Sequence, residues 1–70
     1  MTLIQQVRED IAKTKAALIR KWARNGPYEN FGQKEVRALQ NKYAKQIFDG
    51  DYIWNVIIDF DDWCMNYTGQ

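Results

Sequence analysis

The apolar residues in the first third of the chain recur at the spacing of an α-helix. They are Ile4, Val7, Ile11, Leu18 and Trp22. Thr2 precedes this run and Gln5 follows three residues later, which matches a capping box, where two side chains satisfy free amides of the first turn. The run stops at Asn25-Gly26-Pro27, because glycine can end a helix in a left-handed conformation and proline cannot continue one. We therefore predict a first helix over about residues 2 to 25.

A second helical stripe follows a short connector. Its apolar positions are Val36, Leu39, Tyr43 and Ile47, and a turn signal, Asp49-Gly50-Asp51, ends it. Two starts fit the connector. In one, Phe31 packs on Val36 as a hydrophobic staple and Glu35 reaches back toward the cap. In the other, the cap is formed by Asn30 together with Gln33. Either start predicts a helix over about residues 33 to 48.

The third apolar stretch is ambiguous, because VIIDFDDW (residues 56 to 63) also fits the end of a β-strand that carries a catalytic aspartate. An aspartate-based phosphotransferase needs a parallel sheet whose strand-helix-strand units take about 30 residues or more, and only seven residues follow this motif. Two interleaved stripes of helical period favour a helix over about residues 52 to 68. The apolar stripe is Ile53, Ile57, Phe60, Cys64 and Tyr67, and the polar stripe is Asp51, Asn55, Asp59, Asp62 and Asn66.

Three helices joined by short connections predict an all-α fold, a compact three-helix bundle in a single domain over residues 1 to 70. We expect the first two helices to be antiparallel and the third to pack across both. Asp51 is placed to cap the third helix, and Gly69 lies just past its predicted end. Tyr28 and Phe31 in the first connector are expected to seal one end of the bundle rather than to stack on nucleic-acid bases.

The residue types exclude several kinds of chemistry. The single cysteine, Cys64, has no second cysteine and no histidine in the chain, so an internal disulfide, a zinc knuckle and a Cys-His nucleophile cannot form within one chain. Asp59 and Asp62 share a helix face while Asp61 lies about 100° or more away from each, so we expect solvated acids, although two carboxylates plus water could hold Mg²⁺. We predict no catalytic residue, cofactor or metal. No stretch approaches the roughly 18 apolar residues of a membrane span, and we expect a cytoplasmic protein.

Charge is distributed unevenly along the chain. All ten Lys and Arg residues lie within residues 1 to 48 beside four acids, whereas residues 49 to 70 hold five Asp and no base. Six of the basic residues lie opposite the predicted apolar faces of the first two helices, namely Lys13, Arg20, Arg24, Lys34, Arg37 and Lys45. These stripes fit either ordinary solvated surface or an alternative function as a small nucleic-acid-binding module, because phosphate binding requires clustered Lys and Arg.

One flank of the third helix belongs to neither the apolar nor the polar stripe. Trp54, Ile58 and Met65 fall there together, with Asp61 beside them. A second apolar flank bordered by acids predicts an exposed patch, and such patches commonly mark interaction sites. We expect these four residues to form a protein-binding surface, either for a homodimer or for a different protein. In the alternative, the first or second helix covers this flank.

The segments YENFGQKEVRALQNKY (residues 28 to 43) and DFDDWCMNYTG (residues 59 to 69) resemble a group of small, largely uncharacterised proteins encoded by phages and prophages of Gram-positive bacteria. Residues 44 to 58 depart from this pattern, and the matching segments carry no catalytic motif. The resemblance implies a cytoplasmic accessory protein of infected bacteria that binds and modulates or inhibits a host or defence protein, with an anti-CRISPR-like role among the options. It assigns no site residues.

Overall fold

The computed structural model describes residues 2–26, 29–47 and 51–68, which form three α-helices and no β-strand. Helix α1 spans Leu3–Asn25, α2 spans Gln33–Tyr43 and α3 spans Tyr52–Asn66. The predicted all-α, three-helix fold is confirmed. The octapeptide at residues 56 to 63 is helical, so its aspartates do not follow a β-strand.

Helix α1 begins with the predicted capping box and ends at the predicted glycine, although Gly26 has ψ −171° and therefore does not take the predicted left-handed helical conformation. The Thr2 side chain accepts a hydrogen bond from the Gln5 amide at 3.3 Å, and the Thr2 amide donates to the Gln5 side chain at 3.0 Å. At the other end, Gly26 has φ 73° and its amide donates to the Trp22 carbonyl at 2.7 Å. Such a backbone conformation strongly favours glycine, so Gly26 ends the helix. Pro27 lies outside the described residues.

Helix α2 begins in a way that differs from both predicted starts. Its N-cap is Gly32, with φ 78°, and no side chain caps the helix, so neither Glu35 nor Asn30 supplies the predicted cap. Asn30 instead takes φ 59°, and its carbonyl accepts a backbone hydrogen bond from Gln33 at 3.1 Å. Phe31 is nevertheless buried, as the staple required. The cap is backbone-based because residue 32 has no side chain.

The other two helices end earlier than predicted. The α-helical part of α2 stops at Tyr43 rather than near residue 48, because the Ala44 amide bonds to the carbonyl three residues back and residues 44 to 46 form turns. Ile47 remains buried. Helix α3 begins with the predicted cap, in which Asp51 accepts from the Ile53 amide at 3.1 Å, but ends at Asn66 because Tyr67 is extended. Gly69 lies outside the described residues.

Side-chain contacts give the directions of the helices. Asp10 in the first half of α1 contacts Tyr43 at the end of α2, so these two helices are antiparallel, as predicted. Ile11 in the first half of α1 lies beside Val56 of α3, and Trp22 near the end of α1 meets Tyr67 just after α3, so α3 runs parallel to α1. Helix α3 packs against both other helices. The buried core is Val7, Ile11, Leu18, Phe31, Val36, Leu39, Tyr43, Ile47, Ile53, Ile57, Phe60 and Cys64. Ile4 and Trp22 of the predicted α1 stripe are only half-buried.

Aromatic rings close one end of the bundle. Phe31 is stacked on Tyr67 with ring centroids 5.0 Å apart, and it meets Trp22 edge-on at 4.9 Å. Trp63 lies 4.9 Å from Tyr67 in the same cluster. Phe31 therefore seals the end, as predicted, while the prediction for Tyr28 falls outside the described residues. This cluster fixes the connector against the C-terminal turn of α3.

Candidate functional site

The predicted surface residues of α3 lie on one side of the helix. At about 100° per residue, Trp54, Ile58, Asp61 and Met65 fall within an arc of about 60°, centred about 100° from the buried stripe. Ile58 is 48% exposed and Met65 is 64% exposed. Trp54 and Asp61 are half-buried, and Trp54 packs partly against the core. We call these four residues the α3 flank.

Asp61 joins the α3 flank to the start of α2. The Gln33 side-chain amide donates to an Asp61 carboxylate oxygen at 3.2 Å. The contact places the flank on the side of α3 that faces α2, whereas Val56 and Asp59 face α1 across a groove. Because Gln33 is neutral, its hydrogen bond does not neutralise the negative charge of the Asp61 carboxylate. Helix α2 therefore borders the flank without covering Ile58 or Met65.

A cleft opens at the end of the α3 flank. It has a volume of about 310 Å³ and is lined by Trp22, Asn30, Phe31, Gln33, Cys64, Met65 and Tyr67. Met65 belongs to both the flank and the cleft, so the two features form one continuous surface. We call the cleft alone, without the rest of the α3 flank, the end cleft. Its aromatic walls and flexible methionine are suited to receiving an apolar side chain.

The acids of α3 make no ion pair with any residue that the structure describes. Asp59 shares a groove of about 300 Å³ with Arg8 and Lys15, while the described salt bridges join Lys13 to Glu9 and Lys42 to Asp10. Asp59 and Asp62 are exposed. No group of three or more acidic, cysteine or histidine side chains is placed to hold a metal ion within the described ranges.

The six basic residues of the nucleic-acid alternative do not form one surface. All six are exposed. Arg20 and Arg24 line a depression near the end of α1, whereas Lys34 and Arg37 line another along α2. Lys13 pairs with Glu9 at 3.8 Å and lines a further depression, which shares Ala17 and Lys21 with that of Arg20 and Arg24. Lys45 lies in the turn after α2. The basic residues that line these depressions thus divide between a surface on α1 that also includes Lys21 and a depression on α2.

A polar contact between α1 and α2 was not predicted. The hydroxyl of Tyr43, whose ring is fully buried, donates a hydrogen bond to Asp10, and Lys42 donates to the same carboxylate oxygen at 2.7 Å. The hydrogen bonds from Lys42 and Tyr43 lower the pKa of Asp10, and burial raises the pKa of Tyr43. The position of Tyr43 on the apolar stripe could have indicated this contact, because the hydroxyl of a buried tyrosine usually forms a hydrogen bond.

Cys64 is buried beneath the end cleft. Burial, with smaller contributions from the charges of Asp61 and Glu35, raises the pKa of its thiol to about 11. A thiol with so high a pKa is almost entirely protonated near neutral pH, and the thiolate is the nucleophilic form. Cys64 therefore behaves as a small apolar core residue, in agreement with its place on the predicted apolar stripe.

Comparisons with protein-family models, curated proteins and solved structures found no match. Within the described parts of the chain, no helix is both long enough and apolar enough to cross a membrane.

Proposed function

We propose that this chain is a non-enzymatic interaction protein that binds another protein through the α3 flank and thereby modulates or inhibits it. The observation that carries the proposal is the alignment of two large exposed apolar side chains, Ile58 and Met65, with half-buried Trp54 on one side of α3. Exposed apolar residues that are grouped in this way commonly mark interaction sites. Tryptophan and methionine are enriched at protein interfaces.

The class of partner rests on the sequence resemblance. Residues 28 to 43 and 59 to 69 resemble small phage and prophage proteins of Gram-positive bacteria, so the proposed partner is a bacterial host or defence protein and the proposed site of action is the bacterial cytoplasm. An anti-CRISPR-like role is one form of this proposal. The proposed absence of enzymatic activity is supported by the buried, protonated thiol of Cys64 and by the lack of histidine in the sequence.

The alternative function is nucleic-acid binding through the exposed basic residues of α1 and α2. Arg20 and Arg24 form one pair and Lys34 and Arg37 form the other. Phosphate binding by either pair would weaken steeply with salt, because it releases counterions from the nucleic acid. An apolar protein interface lacks this steep salt dependence, so salt distinguishes the two functions.

The experiment is affinity capture from a bacterial lysate with four forms of the tagged protein. They are the parent, Ile58→Asp, Met65→Asp and the control Ile19→Asp, which changes an apolar α1 residue that is 43% exposed. We expect a discrete protein to remain bound to the parent and to the control at about 0.5 M salt, well above physiological ionic strength. Its recovery should fall about tenfold or more with both flank variants, a loss of about 1.4 kcal/mol in binding.

The captured protein would then be purified and its Kd measured with the same four forms. Equal affinity for the parent and the flank variants would contradict the proposal. Recovery of nucleic acid that is lost at high salt, and lost with Lys34→Glu and Arg37→Glu, would instead establish the alternative. Circular dichroism of each variant checks that the fold is retained.

A further inference from the structure

We propose that the partner segment received by the α3 flank is a cationic amphipathic helix, apolar on the side that contacts the flank and lysine- or arginine-rich along its edges. This inference rests on the proposed function and adds the chemistry of the partner. It follows from the shape, the charge and the depth of the surface.

The shape of the α3 flank suits one helix of a partner. Trp54, Ile58 and Met65 lie on one line along three turns of α3, with Asp61 between Ile58 and Met65. From residue 54 to residue 65 the stripe is about 16 Å long. A partner helix that presents apolar residues at the same spacing would match this length, which is the usual mode of recognition between an amphipathic helix and an apolar groove.

The charge of the α3 flank selects a basic partner. Asp61 lies within the flank and Asp62 lies at its edge, and neither forms an ion pair with a described residue. No Lys or Arg follows Lys45 in the sequence. Both acids lie in the C-terminal half of α3, where the helix dipole disfavours negative charge. On the α2 side, Lys34 and Arg37 line a depression that shares Asn30 and Gln33 with the end cleft. The basic residues of the partner would therefore lie on the Asp62 side of the flank, away from α2. A cationic partner there would balance charges that form no ion pair within the described residues, and complementary charges also guide association.

The end cleft is a concave site at one end of the α3 flank. Its volume of about 310 Å³ and its walls of Trp22, Phe31 and Tyr67 fit a bulky apolar side chain of the partner. Met65 at its mouth can change rotamer to accommodate such a side chain. Interface energy commonly concentrates in side chains that fill pockets of this kind, so the cleft would supply an anchor point for the cationic helix.

The test uses two synthetic peptides with the same leucine face, one carrying lysine and the other glutamate on the polar face. Each would have about 14 residues, enough to cover the stripe at 1.5 Å per residue. Binding is followed by NMR titration of the isotope-labelled full chain, which locates the perturbed residues and gives Kd. We expect the lysine peptide to perturb Ile58 and Met65 and to bind about tenfold tighter than the glutamate peptide.

Two double variants separate local from overall electrostatics. Asp61→Asn with Asp62→Asn changes the net charge by the same amount as Glu9→Gln with Asp59→Asn, but only the first pair borders the α3 flank, because Glu9 lies on α1 and Asp59 lines the groove that faces α1. The first should reduce the preference for the lysine peptide to about threefold or less, and the second should leave it unchanged. A preference that both pairs reduce equally would overturn the inference, because net charge alone would then explain it.

Three further outcomes would overturn the inference. If both peptides bind the α3 flank with equal affinity, the flank is a neutral apolar interface, and the proposed function stands without the basic partner. If the lysine peptide perturbs other residues and is insensitive to Ile58→Ser, which removes the apolar contact without adding charge, its site lies elsewhere. If the chain self-associates through the flank, and Ile58→Asp yields monomers without restoring peptide binding, a second copy is the occupant.

Discussion

Among single residues, Gly32 occupies a position where both the backbone conformation and the available space favour glycine. Its φ of 78° favours glycine, and a Cβ atom at this position would lie 2.3 Å from the Sγ atom of Cys64 and 2.9 Å from its Cβ atom. The sequence presented Gly32 only as a residue near the start of α2. Its role depends on how closely the connector approaches α3, which is a contact between residues far apart in the chain.

We predict that Gly32→Ala destabilises the protein by roughly 2 to 4 kcal/mol, because left-handed backbone strain and a steric clash add together. Urea unfolding of Gly32→Ala, of Cys64→Ala and of the double variant separates the cost of backbone strain from the cost of the steric clash. Removing the sulfur should recover some of the loss, since the 2.3 Å contact disappears while the 2.9 Å contact remains. Strictly additive effects of the two substitutions would show that the clash is absent.

At the scale of helices and connectors, Phe31 links three elements. It is buried, and it contacts rings from α1 and from the end of α3 while preceding the N-cap of α2. The staple pattern predicted its burial, because a large apolar residue before a helix start tends to pack on the first turns. The edge-on and stacked geometry with Trp22 and Tyr67 arises only when the three helices meet.

We predict that Phe31→Ala destabilises the protein by about 3 to 5 kcal/mol, as truncation of a buried phenylalanine usually does. Ile19→Ala is the control, because Ile19 is exposed and surface substitutions typically change stability by less than about 0.5 kcal/mol. Urea unfolding of both variants provides the comparison. A small loss for Phe31→Ala combined with loss of partner binding would make Phe31 a contact residue instead of a structural one.

The acids of α3 have two distinct roles, which substitution separates. Asp51→Ala should destabilise the protein by about 1 kcal/mol, because its side chain caps the helix. Asp59→Asn and Asp62→Asn should change stability by less than about 0.5 kcal/mol, since both side chains are exposed. Thermal unfolding with and without Mg²⁺ completes the test. A rise in Tm with Mg²⁺ that these two substitutions abolish would contradict the solvated-acid interpretation.

At the scale of the whole molecule, the contact of Asp10 with Tyr43 and Lys42 joins α1 to α2 across the bundle. The pKa of Asp10 is lowered by these hydrogen bonds from its ordinary value of 3.8. A carboxyl whose folded pKa is below its unfolded pKa stabilises the protein above the unfolded value. That stabilisation is lost as pH falls through the folded pKa. The bundle should therefore become less stable in acid partly through Asp10.

We predict that Asp10→Asn lowers the free energy of unfolding at neutral pH and that the difference from the parent narrows below about pH 4, near the pKa of an unperturbed aspartate. Denaturant unfolding at several pH values measures this difference. Glu9→Gln is the matched control, because its exposed neighbouring carboxylate has only a long contact with Lys13, 3.8 Å. If the difference in unfolding free energy between Asp10→Asn and the parent stayed constant down to about pH 2, the effect would come from hydrogen-bond geometry instead of the charge of Asp10.

Local patterns in the sequence were sufficient to predict the helices, the N-terminal caps of α1 and α3 and most of the core of this protein. Helical periodicity identified three helices and nearly all of the core, and capping chemistry identified Thr2 and Asp51, because these signals act over a few residues. Periodicity also placed Trp54, Ile58, Asp61 and Met65 on one flank of α3. Their use as a binding surface stays a prediction.

The ends of the helices and the polar groups that meet depend on how the three helices pack together. Turn hydrogen bonds follow Tyr43 at the end of α2, and Tyr67, which contacts Phe31, is extended after the end of α3. The Asp10 contact and the close approach at Gly32 join residues more than 30 positions apart. The separation of the basic residues between two surfaces likewise depends on helix orientation. Such contacts follow from the packing of helices against one another, which no local pattern specifies.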